Sequence, residues 1–270
     1  MSSANPLDRL RPDLTGSTSV VTGGGQGLGL EIARQLAAAG SHVVVTGRRD
    51  APLQDAVSSI RDSGGDASYV AGDVATASDV DRIFEHVRQC DGDLRVIVNN
   101  AAIAGPTKPL AELALQEWEE ILATNLTGVF LMCRAGIPML RAAGGGRIIN
   151  IGSGTGKRPL PDRSGYAAAK LAVVGLTRTL AHEVGASQIT VNTVSPFLIE
   201  GPRLDAVIDT MSAMRGITPD DLYEEFVSAS PFRHGVRDFD VAGVVLFLAS
   251  DVAAHMTGQD INVSSGTIMY

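Results

Sequence analysis

Apolar and polar positions alternate along this chain in two ways. Short and nearly continuous apolar runs, bounded by Gly, Asn or charged residues, predict buried strands. Longer stretches with apolar residues three and four positions apart, such as Val80, Ile83, Phe84 and Val87, predict amphipathic helices. The predicted strands, with their exits, are Ser19–Val21, His42–Arg49, Ala67–Ala71, Leu94–Ala102, Arg147–Ser153, Ile189–Pro196 and Gln259–Ser264; the predicted helical stretches are Leu30–Ala39, Asp50–Ser63, Ser78–Cys90, Leu110–Leu140, Tyr166–Leu180 and Asp238–Ser250.

Strand and helix alternate without a break in composition, which predicts an α/β fold with one doubly wound parallel sheet. We expect a single domain over residues 14–270, preceded by a polar leader at residues 1–13. Residues 197–230 interrupt the alternation with Pro202, Met211, Met214 and Pro219. We expect this stretch to be an apolar lid over a substrate, whose methionines adapt to the ligand.

Composition narrows the class of ligand. Of the 270 residues, 44% are hydrophobic and 19% are charged, and the formal net charge is −8 with scattered basic residues. These values indicate a globular protein with a large core and argue against nucleic acid or an anionic membrane as partner. The expected partner is therefore a small molecule.

The two cysteines, Cys90 and Cys133, lack a metal-ligand spacing, so we expect reduced thiols, no metal site and a cytoplasmic location. Met1 to Thr15 has no apolar core of a secretory signal. The apolar runs are interrupted before about 18 residues, so no membrane span is expected.

The segment from Ser153 to Lys170 carries the strongest chemical signal. Tyr166 and Lys170 are four residues apart in an Ala-rich helical stretch, so they should project from one face a turn apart. A nearby ammonium in a low-dielectric cleft stabilises phenolate and lowers the tyrosine pKa. Ser153 ends a buried strand, where open α/β sheets keep their ligand crevice, and can polarise a substrate oxygen while Tyr166 moves the proton. A Tyr-x-x-x-Lys spacing alone also occurs in solvated helices, so its neighbours decide its meaning.

A glycine-rich turn follows the first predicted strand and precedes a helix. In Thr22-Gly-Gly-Gly-Gln-Gly-Leu-Gly29 the glycines remove Cβ atoms that would keep a pyrophosphate from the backbone, and the helix start offers free N–H groups. The order strand, glycine turn, helix predicts a dinucleotide site rather than a merely flexible turn. Its expected cofactor-binding residues are Gly23, Gln26, Gly27, Leu28 and Gly29.

The exit of the second strand bears on the choice of cofactor. An acidic residue there would bind the adenosine ribose hydroxyls, but this chain has Gly47 followed by Arg48. An arginine suits a 2′-phosphate, which favours NADP(H) over NAD(H). The alternative is that Arg48 and Arg49 only cover a solvated edge.

Four further polar residues follow strand ends or lie within an apolar helix. Asp73, next to Val74, either accepts the adenine amino group or caps the following turn. Asn99 and Asn100 either line the ribose side of the cofactor or form the turn at the strand exit. Asn125 lies in an apolar helical setting, where an amide is costly unless bonded. It either kinks the helix and holds a water that leads protons to Lys170, or ties the helix to the sheet.

Together these residues resemble the short-chain dehydrogenase/reductase family, from about Leu14 to the C-terminus, in the 3-oxoacyl-acyl-carrier-protein reductase-like subgroup. The matching features, in order, are Thr22-Gly23-x-x-x-Gly27-x-Gly29, Asp73, Asn99-Asn100-Ala101, Asn125, Ser153, Tyr166-x-x-x-Lys170, Asn192 and Ser195-Pro196.

The resemblance implies a Rossmann-like sheet of seven strands, a nicotinamide cofactor and a catalytic tetrad. In that tetrad Asn125 organises a water relay and Ser153 orients the substrate, while Tyr166 is the acid/base and Lys170 holds the nicotinamide ribose. It also implies a homotetramer or homodimer built on the helices that contain Asn125 and Tyr166.

The chain departs from the family pattern at three places. Ala102 replaces the glycine of Asn-Asn-Ala-Gly, and Gln26 stands where a basic residue often grips a 2′-phosphate. Pro196-Phe197 replaces Pro-Gly and the following threonine is missing, so of the expected nicotinamide contacts Pro196 and the Ile199 backbone remain.

The function expected is hydride transfer between a nicotinamide cofactor and a secondary alcohol or ketone. The alternative is a catalytically silent dinucleotide-binding regulatory or scaffold protein on the same fold. Arg203 either meets a substrate carboxylate or, as is common for an arginine at a helix start, is solvated or paired.

Overall fold

The computed structural model describes residues 12–270. It contains one sheet of seven parallel strands, which are β1 Ser17–Thr22, β2 His42–Gly47, β3 Asp66–Ala71, β4 Asp93–Asn99, β5 Gly146–Ile151, β6 Ile189–Pro196 and β7 Asp260–Val263. Their spatial order is β3-β2-β1-β4-β5-β6-β7. The strand order therefore reverses between β1 and β4, which creates a crevice at the carboxyl ends of these two strands. The predicted seven-stranded Rossmann-like sheet is confirmed.

Nine α-helices connect and cover the strands within the described residues. They are α1 Gly27–Ala38, α2 Asp50–Asp62, α3 Ala77–Arg88, α4 Leu115–Leu122, α5 Gly128–Ala142, α6 Ser164–Val184, α7 Pro202–Arg215, α8 Pro219–Ser228 and α9 Asp238–Ala249. The predicted leader at residues 1–13 lies outside the described residues except for Pro12 and Asp13.

Each strand sends alternate side chains to opposite faces of the sheet. Val21 and Val45 pack with α1, α2 and α9 on one face, whereas Val20 and Val44 pack with α3, α5 and α6 on the other. All four valines are fully buried. Burial on both faces explains why the strands appear in the sequence as nearly continuous apolar runs.

The helical stretch predicted at Leu110–Leu140 is not one regular helix. A short 3₁₀ turn at Leu110–Glu112 precedes α4, and a π-helical turn at Ala123–Thr127 separates α4 from α5. A π turn inserts one residue into the helical repeat, and such turns are frequent at functional sites. Here the turn carries Asn125.

No membrane span is expected from the sequence, yet the helical run Leu115–Ala142 is long and apolar enough for one by length and composition alone. Half of the most apolar 18-residue segment of this run is buried inside the fold. Its α5 part packs on the sheet through residues such as Met132 and Leu140, which are fully buried. Packing against the sheet thus accounts for its apolar character, as in the core helices of water-soluble proteins.

Residues 197–230 form α7 and α8, which pack on each other through a small cluster of buried side chains, Ile208, Met211, Leu222 and Phe226. The expectation for the methionines is wrong. Met211 is buried in this cluster, and Met214 is 53% exposed on the outer side. Met211 therefore helps to hold α7 and α8 together, and Met214 faces solvent.

Close packing between α5 and the sheet depends on Gly136. A Cβ at this position would lie 2.2 Å from Ile97 Cδ1 and 2.9 Å from the Phe84 ring, and both neighbours are fully buried. Gly136→Val should lower the free energy of unfolding by about 1–3 kcal/mol, as overpacking of a core does. Urea denaturation followed by circular dichroism measures this change.

Gly185→Val is the matched control. Gly185 has a helical backbone, with φ −59° and ψ −39°, and a Cβ there meets nothing within 4 Å. Its unfolding free energy should change by less than about 0.5 kcal/mol. Equal effects of the two substitutions would contradict the packing argument.

Candidate active site

A cavity of about 630 Å³ opens at the carboxyl ends of the strands, beside the switch point between β1 and β4. It brings together residues that are far apart in the sequence. The predicted catalytic residues Ser153, Tyr166 and Lys170 line this cavity. Every residue predicted to bind the cofactor lines it as well, namely Gly23, Gln26, Gly27, Leu28, Gly29, Arg48, Asp73, Val74, Asn100, Ala101, Pro196 and Ile199. Asn125, predicted to be catalytic, and Asn99, expected to line the ribose side, are not part of the lining.

The turn between β1 and α1 is held close to the sheet by its glycines. A Cβ on Gly29 would lie 2.1 Å from the carbonyl oxygen of Gly23, so helix and strand approach too closely for a side chain. Gly27 has φ +51°. A Cβ on Gly27 would lie 3.9 Å from Asp238 Oδ2 and within 4 Å of no other atom of the described chain outside its own helix and chain neighbours, so the space beside it is open. Helix α1 begins without a side-chain cap, which leaves its first N–H groups free to bind an anion. These residues fit the pyrophosphate of a dinucleotide.

Asn100 secures this turn from the neighbouring strand. Its Nδ2 donates to the carbonyl oxygens of Thr22 at 2.9 Å and Gly23 at 3.3 Å. The Thr22 hydroxyl accepts from the backbone N–H groups of Asn100 and Ala101, each at 2.9 Å. Sequence reasoning assigned no role to Thr22, because a hydroxyl at a strand end is unremarkable until β4 is placed beside β1.

Asn99 is not a ligand-lining residue, contrary to expectation. It is 3% exposed, and its Nδ2 donates to Asn150 Oδ1 on β5 at 2.8 Å. Successive residues of a strand point to opposite faces, so only one of the two asparagines can reach the cavity.

Asp73 lines the cavity and also caps the turn that follows it. Its Oδ1 accepts from the Ala75 N–H at 2.9 Å, and its own N–H donates to Asp79 Oδ2 at 2.8 Å. The capping alternative is therefore present in the structure, and the second carboxylate oxygen leaves the adenine contact available.

Basic side chains surround the end of the cavity at the exit of β2. Arg48 and Arg49 are both exposed and both line the cavity. Arg49 Nη2 donates to Gln26 Oε1 at 3.0 Å, which brings this arginine over the glycine turn. A positive charge therefore lies beside Gln26, a contact that spacing along the chain does not reveal.

Asn125 ties the π-helical turn to the loop after β4. Its Oδ1 accepts from the Ile103 N–H at 2.9 Å and its Nδ2 donates to the Ile103 carbonyl at 3.0 Å, and the residue is fully buried. The helix is thus anchored to the sheet, which was one of the two alternatives. Its neighbour Thr124 lines the cavity.

Tyr166 and Lys170 lie one turn apart on α6, as their spacing predicts. Lys170 is 3% exposed and its Nζ donates to the Ile151 carbonyl oxygen at 2.7 Å, with Nζ 5.9 Å from the centroid of the Tyr166 ring. The bond to the end of β5 fixes the ammonium beside the phenol. Ser153 follows that strand by two residues, and its hydroxyl accepts from the Thr155 N–H at 3.2 Å.

Burial raises the pKa of Tyr166, but opposing charges outweigh it. The positive charges of Lys170, Arg203 and Arg163, with hydrogen bonding from Ser153, hold the pKa of the phenol below its ordinary value. Burial lowers the pKa of Lys170 more than the neighbouring phenolate raises it. A phenol with a depressed pKa is a better proton donor near neutral pH.

Two arginines, Arg163 and Arg203, also face the Tyr166 ring, with their guanidinium carbons 5.1 and 5.9 Å from its centroid. Arg163 was missed in the sequence. The available signal was its position, three residues before Tyr166 and thus about one helical turn away.

The loop after Ser153 is braced by buried polar contacts with β6 and β7. Lys157 Nζ forms an ion pair with Asp260 Oδ2 at 2.7 Å, and the Ser195 hydroxyl donates to Asp260 Oδ1 at 2.6 Å. Asn192 Nδ2 donates to the Met256 carbonyl at 2.7 Å, which ties β6 to the loop before β7. Asn192 and Ser195 therefore stabilise the strands and loops around the site.

Phe197, which replaces the expected glycine, packs against Gly154 next to Ser153. A Cβ on Gly154 would lie 2.7 Å from Phe197 Cβ. The chain then passes through Leu198, whose φ is +54°, to Ile199, which pairs with Val236 in an isolated parallel bridge. This strained backbone directs Ile199 to the cavity lining.

No group of three or more His, Cys, Asp or Glu side chains within residues 12–270 is placed to hold a metal ion. Cys133 is buried, and burial raises its pKa to about 12, so its thiol is inert.

Comparison with known proteins agrees with this geometry. Residues 17–211 match the family model described as short chain dehydrogenase. The chain belongs to the short-chain dehydrogenase/reductase family.

Relatives within the family are enzymes of alcohol and ketone chemistry. The chain is 34% identical to D-beta-hydroxybutyrate dehydrogenase of Rhizobium meliloti, over 92% of this chain and 97% of that protein. It is 35% identical to 3-oxoacyl-[acyl-carrier-protein] reductase FabG of Staphylococcus aureus, over 93% and 98%. These matches support the predicted subgroup.

Solved structures show the same fold. Actinorhodin polyketide ketoreductase with NADPH aligns with a TM-score of 0.90 at 32% identity, covering 94% of this chain and 98% of that one. NAD⁺-bound xylitol dehydrogenase aligns with a TM-score of 0.89 at 25% identity, covering 94% and 99%. The protein is an NAD(P)-dependent oxidoreductase that interconverts alcohols and ketones, and nothing in these comparisons supports a silent scaffold.

The charges around Tyr166 make its titration a direct test of the site. The difference in phenolate absorbance between the protein and Tyr166→Phe should show a midpoint below about 10, the value of a free tyrosine. Lys170→Met removes the strongest of the lowering charges and should move that midpoint upward. A midpoint at or above the free value would contradict the electrostatic argument.

Proposed function

We propose that this enzyme is a reversible alcohol dehydrogenase and ketone reductase in which Tyr166 is the acid/base. The observation that carries the proposal is the fixed pair of Tyr166 and Lys170 beside Ser153, in the same cavity as the glycine turn. A protein that only binds a dinucleotide has no need of a phenol with a lowered pKa at this place.

The cofactor would be held by the glycine turn, the start of α1, the β2 exit and Asp73. When bound, the nicotinamide supplies or accepts the hydride. Lys170 would hold the nicotinamide ribose, and Pro196 and the Ile199 backbone would hold the ring.

In reduction, Tyr166 donates its phenolic proton to the substrate oxygen while Ser153 donates a hydrogen bond to it. The negative charge left on Tyr166 is stabilised by Lys170. In oxidation the same phenolate accepts the hydroxyl proton. The proton that Tyr166 loses is restored from solvent by way of Lys170 and a water positioned by Asn125 at the π-helical turn.

NADP(H) is the proposed preference over NAD(H). Support comes from the two exposed arginines at the β2 exit, Arg48 and Arg49, and from Gly47 in place of an acidic residue. The structural relatives include both an NADPH-bound and an NAD⁺-bound enzyme. The proposed preference for NADP(H) therefore rests on the charges at the β2 exit.

The substrate end of the cavity is covered by residues 197–230, which we propose act as the lid of a single domain. Leu204, Val207 and Phe226 supply its apolar lining. The names of the two relatives describe the oxidation of a hydroxyl group or the reduction of an oxo group on an acyl chain. They support a small or medium hydroxyacyl or oxoacyl compound as substrate. A cytoplasmic homotetramer, or homodimer, is the proposed assembly.

Tyr166→Phe should lower turnover by about 100-fold or more, because it removes the acid/base oxygen and keeps the ring. The Kd of the cofactor, measured by nicotinamide fluorescence, should change by no more than about 3-fold, as Lys170 and the glycine turn remain. Tyr69→Phe is the matched control, since Tyr69 lies outside the cavity lining and its hydroxyl contacts Gln54. Retained turnover in Tyr166→Phe would contradict the assignment of Tyr166 as the acid/base.

Arg48→Asp should shift the cofactor preference towards NAD(H). A carboxylate there repels a 2′-phosphate and accepts hydrogen bonds from ribose hydroxyls, so the kcat/KM ratio of NADPH to NADH should fall by about 10-fold or more. Initial rates at varied cofactor concentration measure the ratio.

Arg34→Asp, on the exposed side of α1 and outside the cavity, makes the same change in net charge and should leave that ratio unaltered. An unchanged ratio in Arg48→Asp would overturn the preference for NADP(H).

A further inference from the structure

The substrate end of the cavity contains a buried arginine without an acidic partner. Arg163 is 6% exposed and lines the cavity. Its single side-chain hydrogen bond within residues 12–270 runs from Nη1 to the Thr107 hydroxyl at 3.2 Å, and no ion pair to it forms in that range. A guanidinium has five N–H donors and stays charged at neutral pH, so most of the hydrogen-bonding capacity of Arg163 is unused within the described chain.

A second cation approaches the same place from the lid. Arg203 lies in the first turn of α7, with its guanidinium carbon 5.9 Å from the centroid of the Tyr166 ring. Arg203 is exposed, and the amino end of a helix already carries partial positive charge, so the site favours an anion beside this cation. The two arginines reach the same ring from the residue before α6 and from α7, and burial together with the charge of Arg203 lowers the pKa of Arg163.

The acidic residues that line the cavity do not neutralise these arginines. Asp73 caps the turn after β3, and Asp238 lies beside Gly27 in the glycine turn. Glu200 accepts from the Tyr223 hydroxyl at 3.2 Å and forms no ion pair within the described chain. Since Lys170 already faces the phenol, even a fully ionised Tyr166 leaves an excess of positive charge around its ring.

We propose that Arg163 and Arg203 bind a carboxylate of the substrate. The substrate class is then a short hydroxycarboxylate and the corresponding oxocarboxylate, an inference that rests on the proposed function. Burying a charged group is costly unless it is paired, and a planar guanidinium matches a carboxylate through two parallel hydrogen bonds. Because both guanidiniums lie within 6 Å of the Tyr166 ring centroid, the carboxylate lies a few bonds from the reacting carbon.

The backbone before α6 holds Arg163 in this direction. Asp162 adopts φ +63°, a left-handed conformation that is uncommon outside glycine and that aspartate tolerates better than most residues, and its carbonyl accepts from the Lys108 N–H at 3.0 Å. A purely structural arginine, clamping the start of α6 through Thr107, would use one donor and would not discriminate between charged and neutral substrates.

The test compares 3-hydroxypentanoate with its methyl ester, which differs in charge and retains the reacting alcohol. For the wild-type enzyme kcat/KM should be at least about 10-fold higher for the acid. Arg163→Gln should lose about 10- to 100-fold on the acid and less than about 3-fold on the ester. The ester corrects for any change in the proton affinity of Tyr166, because that change affects both substrates.

Arg163→Lys keeps a positive charge and should recover part of the loss on the acid. Arg134→Gln is the control, since Arg134 also lies over an aromatic ring, that of Phe130, but outside the cavity. It should behave as wild type with both substrates.

Calorimetric titration of malonate into the cofactor-saturated enzyme gives a readout without turnover. Saturable binding by wild type that is lost in Arg163→Gln and retained in Arg134→Gln sustains the proposal, even if neither substrate reacts and the proposed function fails. Equal loss on acid and ester in Arg163→Gln, no loss on either, or the absence of malonate binding to wild type would overturn it.

Discussion

The site depends on one electrostatic arrangement, a desolvated ammonium held beside a phenol. Lys170 is almost fully buried, and its charge is tolerated because the Ile151 carbonyl accepts one of its hydrogens and the Tyr166 ring lies on its other side. Burial alone disfavours the charged form of each group. Their mutual attraction opposes this effect of burial: the pKa of Tyr166 falls below its ordinary value, whereas the pKa of Lys170 remains lowered by its burial.

This pairing requires β5 and α6 to be fixed relative to each other. Ser153 and Ile151 come from the end of β5, whereas Tyr166 and Lys170 come from α6, and the loop between them is braced by Lys157 and Asp260. On the opposite side of the cavity, Asn100 and Thr22 hold the glycine turn. The two halves of the cavity are therefore positioned by polar contacts at strand ends, while the valine-rich strands beneath them carry the core.

Much of this was predictable from local pattern. The seven strands and most helix positions followed from apolar runs and their spacing, and the glycine turn and the Tyr166 and Lys170 pair followed from motifs a few residues long. Predictions failed where a side chain has a choice of neighbours. Asn99 turned to Asn150, and Met211 entered the small core between α7 and α8.

The sequence by itself determined the fold class, the family and the identity of the groups that can do chemistry, because these depend on periodicity, on backbone freedom at glycine and on short-range spacing. Only the tertiary structure decided which polar groups share a cavity. It brought Arg163 and Arg203 to one ring, placed Arg49 against Gln26, and directed Asn125 to Ile103. The physical reason is that charge and hydrogen bonding act over a few ångströms in space, whatever the separation of the partners along the chain.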